Sequence, residues 1–477
     1  MRLPDSWHGD WGGLSALVLG LGKSGFSVVD TLSELGVRCV ALGASADPKL
    51  VELTELVGSK FIASESPSAL DELGFTPDFV VVSPGFAPNH PLIEEVNSRG
   101  LPLVTDVDLA WRLRDKVLPN QQWIGITGTN GKTTTVELVA HMLQRAGLRA
   151  VACGNIGNPI LDAVRDPIGF EFLVVELSSF QLHYLGEISP LATAFLNIAD
   201  DHLDWHGSEA AYLSAKSKIY QSTQSVIVFN EQDPKTLAAA QAAEVLEGCR
   251  GVGFSLLTPQ PSSIGYVEDI LVDRAFLTER ASQALEIATL EDLSKIAPIS
   301  DQLRANVAAA TALARAAGVS PAAIRDAIQT FEISPHRNQL VAQLDGVSYV
   351  NDSKATNAHA AEASLSSYES VVWIVGGLFK GVDPGELIAK HADRLRAAVL
   401  IGKETSSLAE RFAELASQVE LRVVSGGSVM DEAVELARGL AHSGDTVLLA
   451  PAAASMDQFE SYQDRGNKFI AAVRRLS

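Results

Sequence analysis

Gly128-Thr129-Asn130-Gly131-Lys132-Thr133-Thr134 follows an apolar run at 123–126 and leads into an amphipathic stretch at 133–146 that Gly147 ends. A buried strand, a glycine loop and a helix, in that order, make a parallel α/β unit. The loop offers consecutive backbone N–H groups, the positive end of a helix, a lysine and an adjacent hydroxyl. Polyphosphate binding needs those parts: amides and helix dipole for the oxygens, Lys132 for charge, Thr133 for Mg²⁺. The spacing departs from a full Walker A pattern, because Ile126 stands five positions before Gly131 where that pattern asks for glycine. The bland alternative is a solvated turn with a chance Gly-Lys-Thr, and the flanking strand and helix weigh against it.

Working outward, the same rhythm starts twice more. Residues 14–19 read as a strand, 24–35 as a helix and 37–42 as a second strand; 347–351 is followed by a helix from 358 and a strand at 371–375. Each restart carries different loop chemistry, so the chain reads as three α/β domains rather than repeats. The expected fold class is α/β: Rossmann-like N-terminal and C-terminal domains flank a central P-loop-type ATPase domain with a parallel sheet. Boundaries fall near residues 105 and 333, giving domains 1–105, 106–333 and 334–477. Residues 251–272 read as a β insertion. A length of 477 residues suits about three domains.

Composition narrows the function. Hydrophobic residues make up 47% and charged residues 20%, which suits a chain that buries real cores. The formal charge of −21 argues against nucleic acid or an acidic membrane as partner, so any anion must be held by a local site. Three scattered cysteines form neither a disulfide framework nor a zinc site, and no apolar run approaches a membrane span or signal peptide. The expected compartment is a reducing cytoplasm.

Gly20-Leu21-Gly22-Lys23-Ser24-Gly25 is a literal GxGxxG between strand and helix. Such a loop lets backbone approach a diphosphate. A nicotinamide dinucleotide also wants an acid at the end of the next strand. Here that strand ends Ala41-Leu42-Gly43, and the nearest acid is Asp47. A diphosphate from another nucleotide therefore fits better, with tight strand–helix packing as the ligand-free alternative. Ser83-Pro84-Gly85 follows another apolar strand and either adds N–H donors at that rim or only turns the chain.

Near the central loop, the strand 172–175 closes on Glu176, a carboxylate placed for Mg²⁺, and 191–196 leads to Asn197 and His202. Taken alone, His202, His183 and His206 read as hydrogen-bonded core or cap histidines, and Lys216 and Lys218, on a helix at 208–220, as a solvated face. In the third block Asp352, Ser353 and Lys354 end one strand, Lys380 follows the next, and Ser455 follows a strand at 446–450. Two lysines and a serine at one sheet edge suit a small dicarboxylate, and the surrounding glycines and alanines suit close packing equally.

Together these stretches resemble the ATP-dependent Mur ligases of peptidoglycan precursor synthesis, over nearly the whole chain. The shared signature is Gly128–Thr134, Asn155 in Gly154-Asn155-Ile156-Gly157, Glu176, His202, Lys216, Asn306, His336-Arg337 and Asp352. Glu176-Leu177-Ser178-Ser179-Phe180-Gln181-Leu182, 351–357 and Ser455-Met456-Asp457-Gln458-Phe459 with Tyr462 resemble the branch that adds D-glutamate. The resemblance implies ATP, two Mg²⁺ ions, D-glutamate and UDP-N-acetylmuramoyl-L-alanine as ligands of a monomer, with chemistry through an acyl phosphate. It implies ATP contacts from Gly128, Thr129, Asn130, Gly131, Lys132, Thr133, Thr134, Asn306, Arg337 and Asp352. Metal contacts would come from Thr133, Glu176, His202 and a carbamylated Lys216, with Lys132, His202, Lys216 and Arg337 catalytic. Gly20, Leu21, Gly22, Ser83, Gly85 and Asn155 would face the UDP substrate. Lys354, Thr356, Lys380, Ser455 and Tyr462 would face D-glutamate. Gly43 stands about where family members often carry a uracil-contacting acid. A sibling ligase with another amino acid or acceptor, including a folylpolyglutamate-type enzyme, shares the centre but not the flanking segments. The loop by itself also fits a simple kinase or a non-catalytic nucleotide-binding module.

Overall fold

A computed structural model describes residues 3–199, 201–379 and 381–476. Lys380 therefore lies outside the described residues. Three sheets account for the strands. The first contains β1 (Ser15–Leu19), β2 (Arg38–Gly43), β3 (Lys60–Ala63), β4 (Phe79–Val82) and β5 (Leu103–Val104), in the order β3-β2-β1-β4-β5, with every pairing parallel. Order reverses at β1, so the loops after β1 and β4 share one crevice, the usual place for a ligand in an open parallel sheet.

The second sheet has nine strands: β6 (Gln122–Thr127), β7 (Ala150–Gly154), β8 (Phe172–Glu176), β9 (Ala192–Phe195), β10 (Val226–Asn230), β11 (Arg250–Phe254), β12 (Ser263–Val267), β13 (Ile270–Asp273) and β14 (Leu285–Thr289). In the order β14-β13-β12-β11-β10-β9-β6-β8-β7, β6 lies between β8 and β9. The loops after β6, β8 and β9 thus meet at one edge. β12, β13 and β14 pair antiparallel, forming the β insertion at the far side. Strand interiors such as Trp123, Ile124 and Ile126 are buried, as expected for continuous apolar runs in parallel sheets covered on both faces.

The third sheet contains β15 (Gln339–Leu344), β16 (Val347–Asn351), β17 (Val371–Gly376), β18 (Leu395–Ile401), β19 (Glu420–Val423) and β20 (Thr446–Leu449), ordered β15-β16-β20-β17-β18-β19. All pairings are parallel except β15 with β16. β20, the last strand in the chain, slots between β16 and β17, so the loops after these three lie side by side.

Two compact units contain these sheets. One holds Met1–Ile198, Leu203–Thr289 and Ala305–Ile328; the other holds Ala199–His202, Leu290–Arg304 and Gln329–Ser477. In the first unit, the helix Lys23–Glu34 is tied to the helix Ile160–Arg165: Ser27 Oγ donates to Asp162 Oδ1 at 2.6 Å, and Arg165 reaches Asp30 at 2.6 Å and Glu34 at 3.2 Å. No helix of the described residues is long and apolar enough to cross a membrane. One local expectation needs correction. The helix expected over 208–220 is α-helical at Glu209–Ser217 and then tightens to a 3₁₀ turn at Lys218–Tyr220.

Candidate active site

The loop after β6 is built by its backbone. Gly131, at φ 81°, caps the helix Lys132–Arg145, and no side chain occupies that cap. A left-handed cap suits glycine and leaves the positive helix end facing an anion. Asn197, after β9, braces the loop from the side. Its Oδ1 accepts from the Asn130 N–H at 2.9 Å, its Nδ2 donates to the Asn130 carbonyl at 3.1 Å, and its own carbonyl accepts from the Thr129 N–H at 3.0 Å.

Two lysines converge on this loop. Lys132 Nζ donates to the carbonyls of Gly128 at 2.8 Å and Thr129 at 2.9 Å. Lys216 Nζ, arriving from the helix Glu209–Ser217, donates to the same Gly128 carbonyl at 2.8 Å and lies 4.9 Å above the Tyr212 ring. Lys216 is 2% exposed. Burying an ammonium is costly, so the solvated face that side-chain statistics favour for a helical lysine is not what forms here. The Tyr212 hydroxyl lies 3.1 Å from Thr129 Oγ1, which ties that helix to the loop a second time.

Glu176, at the end of β8, is buried. Thr133 Oγ1 donates to its Oε2 at 2.6 Å, and Asn155 Nδ2 donates to its Oε1 at 3.0 Å. Hydroxyl and carboxylate thus meet beneath the helix start, and two partners fix the carboxylate. Asn306, which belongs to the same unit, is buried on the helix Asp301–Ala316.

The first glycine loop is explained by packing at its ends and not at its middle. A Cβ on Gly20 would meet Ser83, and one on Gly25 would run into the Gly20 carbonyl, whereas Gly22 faces open space. Gly22 begins the helix Lys23–Glu34 without a side-chain cap. Leu21 is buried, and Gly85 lies two residues past Ser83 on the neighbouring loop.

In the second unit, Asp352 is buried and takes a hydrogen bond from Ser364 and one from the Asn338 N–H at 3.2 Å. Burial pushes its carboxyl above the usual range, with those hydrogen bonds and the charge of Arg337 opposing. His336 sits at φ 68° and its Nδ1 is 2.9 Å from Asn351 Nδ2. The Lys354 N–H donates to the His336 carbonyl at 3.1 Å, and the Thr356 N–H to the Lys354 carbonyl at 2.8 Å. Lys354 Nζ lies 4.1 Å over the Tyr462 ring, a cation–π contact. Ser455 is buried next to Ala454, which pairs with Leu378 beyond β17. His202 also belongs to this unit; it stands at φ 54° with Nε2 3.5 Å from Asp201 Oδ2.

Comparison with known proteins settles the family. Residues 15–105 match the model of the Mur ligase MurD-like N-terminal domain, 126–260 the Mur ligase middle domain, and 336–453 the Mur ligase glutamate ligase domain. The UDP-N-acetylmuramoylalanine--D-glutamate ligase of Leifsonia xyli subsp. xyli is 51% identical, over 98% of this chain and 94% of that one. The chain belongs to the Mur ligase family. The correspondingly named ligase of Tropheryma whipplei is 43% identical over 99% of this chain and 98% of its own. A crystal structure of the UDP-N-acetylmuramate-alanine ligase from Thermotoga maritima shares the fold, with a TM-score of 0.58 at 16% identity over 97% of this chain and 100% of that one. As a Mur ligase, the protein is an ATP-dependent, ADP-forming ligase of peptidoglycan synthesis with three α/β domains.

Within this Mur ligase, the first unit brings together Gly128–Thr134, Asn155, Glu176 and Lys216, and the second gathers Asp352, Lys354, Thr356, Ser455 and Tyr462. Among the described residues no cluster of three or more His, Cys, Asp or Glu converges. Thr133 and Glu176, whose oxygens already meet at the loop, have the oxygen-only chemistry that suits Mg²⁺. Lys216 as an amine is no ligand for that ion; as a carbamate it would be. Two contributors escaped the sequence reading. Asn197 stood in a quoted stretch without a role, and its signal was its place at the end of the strand next to β6. Tyr212 sits in a helix, and nothing in the local pattern separates it from an ordinary packing residue.

Proposed function

We propose that this Mur ligase joins D-glutamate to UDP-N-acetylmuramoyl-L-alanine in the cytoplasm. Residues 1–105 hold the UDP substrate, 106–333 hold ATP with two Mg²⁺ ions, and 334–477 hold D-glutamate. The observation that carries this reading is the convergence of Lys132, Thr133, Glu176 and Lys216 on one glycine loop. The names of its relatives support the choice of amino acid.

A carboxylate is a poor acyl donor; an oxygen of the UDP-N-acetylmuramoyl-L-alanine carboxylate attacks the γ-phosphorus of ATP, the bond to ADP breaks, and an acyl phosphate forms. The neutral amine of D-glutamate then attacks the acyl carbon, the amide forms with loss of a proton, and phosphate leaves. Lys132, released from the Gly128 and Thr129 carbonyls, neutralises charge on the terminal phosphates as it is transferred. Bound Mg²⁺ supplies further charge neutralisation at the phosphate oxygens. Thr133, Glu176, His202 and carbamylated Lys216 would hold the ions. Carbamylation adds CO₂ to the neutral Lys216 amine with loss of a proton, turning a buried cation into an oxygen ligand. Arg337, Asn306 and Asp352 face the nucleotide. Gly20, Leu21, Gly22, Ser83, Gly85 and Asn155 face the UDP substrate; Lys354, Thr356, Lys380, Ser455 and Tyr462 face the amino acid.

An amino-acid panel tests this, with UDP-N-acetylmuramoyl-L-alanine as acceptor and ADP release as readout. A site that pairs both carboxylates of its substrate rejects a mismatched one strongly. D-glutamate should be used far better than L-glutamate or D-alanine. Equal rates with L-glutamate would overturn the assignment of D-glutamate and leave the ligase class standing.

A further inference from the structure

Arg465 lies on the helix Tyr462–Arg474 and is 0% exposed. Its guanidinium makes three hydrogen bonds. Nε donates to Ser353 Oγ at 2.9 Å, Nη2 to the Ser353 carbonyl at 2.9 Å, and Nη1 to the Ala453 carbonyl at 3.1 Å. Ser353 Oγ in turn donates to the Tyr462 carbonyl at 2.8 Å. One side chain therefore ties three segments together: the loop after β16, the loop after β20 and the start of the last helix. Each carries a residue of the proposed amino-acid site, namely Lys354, Ser455 and Tyr462.

The chemistry of this contact is unusual for mere packing. A buried cation is ordinarily paired with a carboxylate. The three partners here are a hydroxyl and two carbonyls, with Asp457 acting through space. Burial lowers the guanidinium to about 10, which leaves it charged at neutral pH. Apolar side chains could fill the same volume without that cost. What they lack is a planar fork that fixes two loops at once. Asn351 continues the frame: its Oδ1 accepts from the Ser353 N–H at 3.1 Å and its Nδ2 donates to the Gly466 carbonyl at 3.1 Å.

We infer that Arg465 is a positioning residue for the incoming amino acid, holding Lys354, Ser455 and Tyr462 in register and placing a positive charge behind the site that receives its carboxylates. The inference rests on the reading that these residues face the amino acid.

Arg465→Lys keeps the charge and loses the fork. Ser353→Ala removes one acceptor and leaves both carbonyl contacts. Each variant is purified, its fold is checked by circular dichroism, and KM is measured for ATP, for UDP-N-acetylmuramoyl-L-alanine and for the amino acid. Arg465→Lys should raise the amino-acid KM about tenfold, the scale of losing a charge-assisted hydrogen bond, with the other two KM values within about twofold. Ser353→Ala should shift the same constant in the same direction by less, and it decides the matter if Arg465→Lys does not fold. A folded variant with unchanged amino-acid KM, or with all three KM values rising together, overturns the inference. If the wild type prefers another amino acid, the D-glutamate reading fails separately, and a selective rise in KM for the preferred one still supports Arg465.

Discussion

Gly20–Gly25 and Gly128–Thr134 both follow a buried parallel strand and both open a helix on a glycine. At the first, two glycines answer to packing: Gly20 to Ser83, Gly25 to the Gly20 carbonyl. At the second, side chains arrive from elsewhere. Lys216 crosses from another helix to the Gly128 carbonyl, Glu176 takes the Thr133 hydroxyl, and Asn197 brackets Asn130. Glycine spacing reports how closely backbone approaches backbone. What sets the second loop apart is the set of charged and polar groups that pay their burial cost to reach it.

The sharpest way to break this contrast is Lys132→Ala. Its ammonium bonds to loop carbonyls in the free protein and is proposed to move to phosphate in the transition state. kcat should fall by about 10²–10³ or more, the scale of removing one group that stabilises transition-state charge. The fold should persist, as read by circular dichroism, because a methyl leaves no buried charge behind. Near-normal ADP release from a folded variant would make the second loop no more chemical than the first.

Lys216→Ala comes next. Loss of most activity is expected, together with partial recovery in excess formate or acetate, whose carboxylate would occupy the position of the missing carbamate. Native mass spectrometry of the untreated wild type at neutral pH adds an independent measurement, the mass increment of one added CO₂. Full activity in Lys216→Ala would reduce this lysine to a buried strut for Gly128.

The fold was legible because its signals are local and repeated. The strand at 347–351 and the β insertion appear where β-branched runs and turn residues put them, since parallel strands buried on both faces need continuous apolar sequence. The site was legible only where chain neighbours carry it, as in Gly131-Lys132-Thr133. Lys216 reads as solvent-facing because nothing within one helical turn announces that the Gly128 carbonyl, 88 residues away, will accept its hydrogen bond. Arg465 is hidden for the same reason: its partners Ser353 and Ala453 come together through the order of β16, β20 and β17. Family resemblance singled out Lys216, which meets the Gly128 carbonyl, and neither resemblance nor pattern singled out Arg465.

The first loop supplies a smaller test. Gly25→Ala forces a methyl against the Gly20 carbonyl, so the helix Lys23–Glu34 must back away from β1. A loss of about 1–3 kcal/mol is expected, read in denaturant unfolding. Gly22→Ala meets nothing and should stay within about 0.5 kcal/mol of wild type. Its use is kinetic. If a diphosphate approaches this loop, the new methyl should raise KM for the UDP substrate alone, and an unchanged KM would leave the first loop purely structural.

The smallest effect is expected two residues past Lys216. Lys218 is half-buried in the 3₁₀ turn, and its Nζ donates to the His183 carbonyl at 2.6 Å. It makes no bond to the glycine loop, so Lys218→Ala should leave kcat and all three KM values near wild type. It should still cost about 0.5–1.5 kcal/mol of stability, the net worth of one hydrogen bond, because the His183 carbonyl loses its donor. The pH dependence has a definite sign. Burial lowers the amine below its ordinary range, with the Asp108 charge opposing, so the unfolded chain binds the proton more tightly than the folded one. Wild-type stability therefore rises with pH through that window, and the wild type should gain on Lys218→Ala as the pH approaches the ordinary lysine range near ~10. If Lys218→Ala loses activity as severely as Lys216→Ala, the helix matters as a body and the separate role of Lys216 falls.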